Sequence, residues 1–181
     1  LSNQGSRCAS SAIEPMVATP GDAAKAAIPR VLAVEFENDV NPVTQGYLTD
    51  EISRANKDGY DAVAIGCFLD PAMTEAREVV KIPVFGLGET SMMVACMYGQ
   101  KFSGIAFHGK QAQYYDRKAF EYGLTSRHVP FGDLGIDFTE VQKAFVDPGQ
   151  MTERFIKETK RLAAQGAEVV LAACATVNAI I

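Results

Sequence analysis

The chain has 181 residues, 48% of them hydrophobic and 22% charged, and a formal net charge of −5. That length suits one ordinary domain or two small ones, and the acidic balance offers no electrostatic grip on nucleic acid or an anionic membrane. No apolar run approaches the ~18 residues of a membrane span, and no charged-then-apolar start resembles a signal peptide. In chain order, RVLAVEFE (30–37) reads as a strand, the stretch 39–45 as a loop, and GYLTDEISRANKDG (46–59) as a helix closing on a glycine. DAVAIG (61–66) is a strand and DPAMTEAREVV (70–80) a helix. IPVFGL (82–87) is a strand, ETSMMVACMYG (89–99) a helix, KFSGIAF (101–107) a strand and QAQYYDRKAFEYG (111–123) a helix. SRHVPF (126–131) reads as extended and 132–149 as loop-rich. MTERFIKETKRLAAQG (151–166) is an amphipathic helix with Phe155, Ile156, Leu162 and Ala163 on one side. EVVLAA (168–173) is a strand, and ATVNAII opens a helix. The start lacks a first strand and the end stops soon after Cys174, so the chain reads as incomplete at both ends.

Short continuous apolar strands between helices imply parallel sheets covered on both faces. One order occurs twice: helix, glycine, apolar strand, cysteine, helix. It is seen in KDGYDAVAIGCFLD (57–70) and again in AQGAEVVLAACATV (164–177). The expected fold is therefore α/β, in two similar lobes spanning residues 1–91 and 92–181.

The four cysteines are Cys8, Cys67, Cys96 and Cys174. None forms a CxxC pair, and with only His108 and His128 as histidines a structural zinc site is not expected. Free thiols in a reducing cytoplasm are the simplest reading. Cys67 and Cys174 each fall just past a strand's carboxyl end, where open parallel sheets hold ligands. Asp70 and Pro71 read as an N-cap and first helical residue, so free helix amides would favour a Cys67 thiolate and could hold a substrate oxygen. Either cysteine alone reads first as inert packing; matched positions in repeated units weaken that reading. Cys96 reads as core and Cys8 as incidental. Neither histidine has an evident third partner, so a Cys–His nucleophile is weakly supported. Two thiols of similar pKa could instead exchange protons with opposite faces of a carbon acid.

The segment GYDAVAIGCFLDPAMTEAREVVKIPVFGLGETSMMVACMYGQKFSGIAF (59–107) resembles the aspartate/glutamate racemase superfamily, closest to its hydantoin/allantoin racemase branch. It carries the branch's cysteine, Phe, Asp-Pro, Ala-Arg-Glu helix, Ile-Pro-Val and Gly-x-Gly-Glu. GAEVVLAACATVNAI (166–180) is similar to the family's second cysteine motif, and NPVTQGYLTDE (41–51) to the segment before its second helix. The likeness runs from about residue 30 onward; Cys-Ala-Thr departs from the branch's commoner second motif. The resemblance implies two pseudo-symmetric, Rossmann-like parallel-sheet lobes with the active site in the cleft between them. It implies cofactor-independent racemisation by Cys67 and Cys174, on 5-substituted hydantoins or allantoin. Backbone amides of Phe68, Ala175 and Thr176 would hold substrate oxygens. Asn3, which lacks the family's Asn-Pro-Asn context, and Ser91 are further substrate contacts. Maleate-type cis–trans isomerases of the superfamily keep both cysteines, whereas its decarboxylases keep one; an amino-acid (aspartate/glutamate) racemase of the same superfamily is a further alternative. A non-catalytic small-molecule-binding protein is the reading of another class, and a thiol-redox protein ranks last. No cofactor, metal, nucleic-acid or membrane partner is expected; a small-molecule substrate and a homo-oligomer are.

The remaining motifs are blander. GLGETS (86–91) lacks the full dinucleotide fingerprint, and Glu89 reads as part of a helix start. Asp133, Asp137 and Glu140 match no Ca²⁺ loop and read as a solvated loop. Tyr114 and Tyr115 read as half-buried packing.

Overall fold

Apolar runs of four or five residues are too short for buried helices, and the chain pairs them into sheets. The computed structural model describes residues 10–12, 29–34, 42–174, 177 and 180. It divides into two compact units, Leu1–Leu87 and Gly88–Ile181. Both are α/β, and each is built on a parallel sheet.

In the first unit the strands are β1 (Ser10–Ala12), β2 (Val31–Val34), β3 (Ala62–Ile65) and β4 (Val84–Gly86), in sheet order β1-β2-β3-β4. β2, β3 and β4 run parallel, with Leu32 opposite Val63 and Val63 opposite Val84. β1 adds an antiparallel strand beside β2, Ser10 opposite Val34, where the sequence suggests none. Helix α1 (Pro42–Lys57) joins β2 to β3, and α2 (Met73–Val79) joins β3 to β4. α1 starts four residues before the expected Gly46, because Pro42 fits the first helical position, where no N–H is needed. Its buried residues Leu48, Ile52 and Ala55 recur at helical spacing, and Val63 of β3 is fully buried.

The second unit holds β5 (Phe102–Ala106), β6 (Gly132–Asp133) and β7 (Val169–Ala172), all parallel in the order β6-β5-β7. Its helices are α3 (Leu87–Tyr98, which begins at the unit boundary), α4 (Gly109–Glu121), α5 (Phe138–Ala144) and α6 (Gly149–Ala164). Every residue of β5 is buried. Ile105 joins Val129, Leu134, Val141, Met151 and Leu162 in the unit's core. On α6 the buried residues are Met151 and Leu162 with Phe155 partly covered; Ile156 and Ala163 lie on the exposed flank. Residues 125–127 form a single 3-10 turn that overlaps the start of the stretch expected to be extended. The expected loop at 132–149 contains β6 and α5. Asp137 and Glu140 form a reciprocal capping box at the start of α5, so their spacing is a helix start and not a solvated loop. Val177 and Ile180 are helical, and both belong to the core or pack on it.

The two repeated segments begin alike. α1 is followed by Gly59 (φ 74°) and α6 by Gly166 (φ 99°), left-handed residues that let the chain leave the helix. The next residue's N–H then reaches back five positions in both cases, Tyr60 to the Ala55 carbonyl and Ala167 to the Leu162 carbonyl, each at 3.1 Å. Asp61 N–H donates to the Arg30 carbonyl at 2.8 Å; Glu168 N–H donates to the Lys101 carbonyl at 2.9 Å.

Candidate active site

Cys67 follows β3 by two residues and is half-buried. What comes next differs from the expected cap and helix. Asp70 N–H bonds to the Cys67 carbonyl at 3.0 Å, closing a turn, and Asp70 (φ 48°) and Ala72 (φ 58°) both take left-handed backbone. α2 therefore begins only at Met73, with Ala72 at its N-cap and no side-chain cap. A helix N-cap normally has extended backbone, which a left-handed Asp70 lacks. The thiol thus lies beside a doubly bent turn, six residues ahead of a seven-residue helix, and the helix-amide argument for its thiolate does not apply.

That turn is pinned from below. Asp70 is 6% exposed, and its carboxyl packs against Gly86 at the end of β4. A Cβ on Gly86 would lie 2.4 Å from Asp70 Oδ1 and 2.6 Å from Met73 Sδ, so only glycine lets the turn close on the sheet. Phe68 is buried beside the thiol, and Arg77 of α2 donates to the Val84 carbonyl at 2.8 Å, tying α2 to β4.

Cys174 follows β7 by two residues, the same offset, and is also half-buried, packed against the core cluster of its unit. The backbone before it is fixed on both sides. Ala173 N–H donates to the Ile105 carbonyl at 3.0 Å, and the Tyr115 hydroxyl donates to the Ala173 carbonyl at 2.9 Å. Tyr115 is 1% exposed, so it is fully buried, unlike half-buried Tyr114 beside it. The signal for this in the sequence is general: a buried tyrosine hydroxyl needs an acceptor.

The histidines occupy opposite edges of the β5 sheet. His128 pairs with Phe102 at the start of β5; its Nε2 lies 3.4 Å from Asp116 Oδ1 and its Nδ1 3.3 Å from the Thr125 carbonyl. Cys174 belongs to the other edge, five residues past Val169 opposite Phe102 and about 16 Å of strand away, so His128 has a structural role. His108 is at the carboxyl edge, where it caps α4: its Nδ1 accepts from Gln111 N–H at 3.3 Å. Ser91 is half-buried in α3 and belongs to the second unit, and Glu89 falls in the first turn of that helix. Cys96 is half-buried, short of the core expected for it, and its carbonyl accepts from Arg127 at 2.8 Å. Asn3, Cys8, Ala175 and Thr176 lie outside the described residues.

A cavity of about 250 Å³ opens between α5 and α6, lined by Ile136, Lys143, Met151 and Arg154 among others, with an Arg154–Glu140 ion pair of 3.4 Å at its side. No expected site residue lines it. Among the described residues, no group of three or more His, Cys, Asp or Glu is arranged to hold a metal ion, and no helix is long and apolar enough to cross a membrane.

Fold and site together define an α/β protein that presents one thiol just past the carboxyl end of a parallel strand in each of two units. Residues 9–180 match the family model described as Asp/Glu/Hydantoin racemase. The chain belongs to that family. The match takes in residues 9–29, where the resemblance of the sequence is poor. A hydantoin racemase from Pseudomonas sp. (strain NS671) is 28% identical over 127 residues, covering 70% of this chain and 50% of that protein. One from Rhizobium meliloti is 30% identical over 133 residues, covering 72% and 53%. Among solved structures, an allantoin racemase from Klebsiella pneumoniae superposes with a TM-score of 0.66 at 19% identity, covering 76% of this chain and 55% of that one. The allantoin racemase from Pseudomonas fluorescens gives 0.56 at 18%, covering 72% and 57%. These likenesses show the fold. The chain spans about half the length of the curated relatives it matches.

Proposed function

We propose that this protein is a cofactor-independent racemase in which Cys67 and Cys174 are the acid and base, acting on a 5-substituted hydantoin or allantoin. The observation that carries the proposal is the matched placement of the two half-buried thiols, each two residues beyond a parallel strand. Membership of the racemase family supports it, as does likeness to proteins named hydantoin racemase.

The chemistry is balanced by one proton. A thiolate removes the hydrogen from the carbon next to the carbonyl, and the electron pair moves onto the carbonyl oxygen as an enolate. The other thiol gives its proton to the opposite face, and the enolate collapses to the inverted product. The first cysteine ends as thiol and the second as thiolate, ready for the reverse reaction. Backbone N–H groups of Phe68, Ala175 and Thr176 would hold the developing oxyanion, with Asn3 and Ser91 as further substrate contacts. The working form is proposed to be a cytoplasmic homo-oligomer, a state that sedimentation of the purified protein measures.

The test is α-proton exchange in D₂O for wild type, Cys67→Ser and Cys174→Ser with each enantiomer of a 5-substituted hydantoin. Each single variant should lose racemisation by about 10³-fold or more yet still exchange the proton of one enantiomer, a different one for each variant. Racemisation retained by either variant would overturn the two-thiol mechanism. Conversion of maleate to fumarate, with no one-sided exchange, would assign the isomerase chemistry instead.

A further inference from the structure

β5 and β7 part company at their carboxyl ends, and side chains of α4 part them. With Ala173 N–H bonded to the Ile105 carbonyl, the next rung of a parallel ladder runs from Phe107 N–H to the Ala173 carbonyl. Each of those groups is taken by a side chain instead. Phe107 N–H donates to Gln111 Oε1 at 3.0 Å, and the Ala173 carbonyl accepts from the Tyr115 hydroxyl at 2.9 Å. Gln111 and Tyr115 are one turn apart on the same face of α4. One helix face thus substitutes for both halves of a single missing rung. The strands it separates are neighbours in the sheet but not in the chain, since β6 lies on the other side of β5. Adjacent strands with diverging connections are where open α/β sheets form a crevice for ligands.

We infer that Gln111 and Tyr115 are positioning residues for Cys174. They end the ladder one residue before the thiol and fix the peptide that carries it. The Ala173 carbonyl and the Cys174 N–H belong to one planar trans peptide and point in opposite directions. Holding the carbonyl on Tyr115 therefore aims that N–H away from α4. The Tyr115 ring cannot drift, because it is buried and packed 5.5 Å from Phe131 and 6.2 Å from Tyr114, centroid to centroid. A tyrosine that only satisfied a stray carbonyl would not need a partner treating the facing strand in the same way. The inference rests on the racemase reading of Cys174.

Its test measures three quantities on Tyr115→Phe, Gln111→Ala, the control Tyr114→Phe and the reference Cys174→Ser. These are kcat and KM for a 5-substituted hydantoin, the iodoacetamide labelling rate of Cys174 resolved by peptide mass spectrometry, and the melting temperature. Tyr115→Phe keeps the ring and should lower kcat about tenfold with KM changed less than about twofold. Cys174 labelling should slow about threefold, Gln111→Ala should shift both in the same direction, and Tyr114→Phe should match wild type. A lower melting temperature with kcat and labelling unchanged would make both residues merely structural and overturn the inference. Should Tyr115→Phe fail to fold, Gln111→Ala decides by the same criterion. A wild type that cannot racemise, or a Cys174→Ser that can, overturns the racemase reading first. A racemising wild type with inactive Cys174→Ser and unaffected Tyr115→Phe and Gln111→Ala overturns only the positioning role.

Discussion

The segments 57–70 and 164–177 begin as near copies and end as different constructions. Both leave a sixteen-residue helix through a left-handed glycine and make the same five-residue back-bond, and both lock the first strand residue's neighbour with an acidic residue's N–H. Beyond the strands the likeness stops. Cys67 is followed by two left-handed residues and a buried carboxyl wedged on Gly86, between strands that follow one another in the chain. Cys174 stands where non-consecutive strands separate under two side chains of α4. Strand starts only have to fold, so one solution serves twice. Strand ends set the surroundings of the two thiols, and under the proposed mechanism, in which they would serve opposite faces of one carbon, they need not be surrounded alike.

The sharpest way to separate the two ends is to crowd each from beneath. Gly86→Ala places a Cβ 2.4 Å from Asp70 Oδ1, and Gly104→Ala places one 2.4 Å from Phe131 Cε1, the ring that packs on Tyr115. Each should cost about 1–3 kcal/mol of stability, measured by denaturant unfolding. If the ends are independent constructions, Gly86→Ala should alter iodoacetamide labelling of Cys67 and spare Cys174, and Gly104→Ala should do the reverse. Equal disturbance of both thiols by either variant would break the comparison.

The starts of the segments were legible in the sequence because their devices are local. A glycine after an amphipathic helix and an apolar run after the glycine name the elements without knowledge of their neighbours, and the cysteine falls at a countable offset. The ends were not legible, because their causes are distant in the chain. Asp70-Pro71 has every local mark of a helix start. What overrides it is contact with Gly86, sixteen residues on, and no window around Asp70 contains that information. Tyr115 likewise serves a carbonyl 58 positions away. The capping box at Asp137 and Glu140 was missed for a smaller reason: its spacing is local, but the helix behind it is only seven residues long.

A milder test addresses the shared start. Gly59→Ala and Gly166→Ala force a Cβ into left-handed backbone with open space around both positions, so only the conformational cost remains. Each should lose about 1 kcal/mol, in near-equal amounts by denaturant midpoint. A large difference between them would mean that the two helix exits are alike in shape but not in energy.

The smallest effect probes a place where the starts differ. Asp61 Oδ2 accepts from Arg30 N–H at 2.7 Å, whereas Glu168 Oε2, one methylene longer, accepts from Gln100 N–H at 2.7 Å. Arg30 and Lys101 are equivalent, each the residue before its strand and each giving its carbonyl to the acidic residue's N–H. Gln100 therefore corresponds to Pro29, which has no N–H to give. The shorter aspartate suits the first unit because its donor, Arg30 N–H, is one residue nearer than the Gln100 N–H that Glu168 reaches. Asp61→Glu should then extend past its donor toward a proline and lose up to about 1 kcal/mol. Glu168→Asp should lose less, because the Lys101 N–H offers the shortened side chain the contact that Asp61 makes with Arg30. Equal losses in the two variants, read from the denaturant midpoint at constant slope, would show that side-chain length at this position follows something other than the missing proline donor.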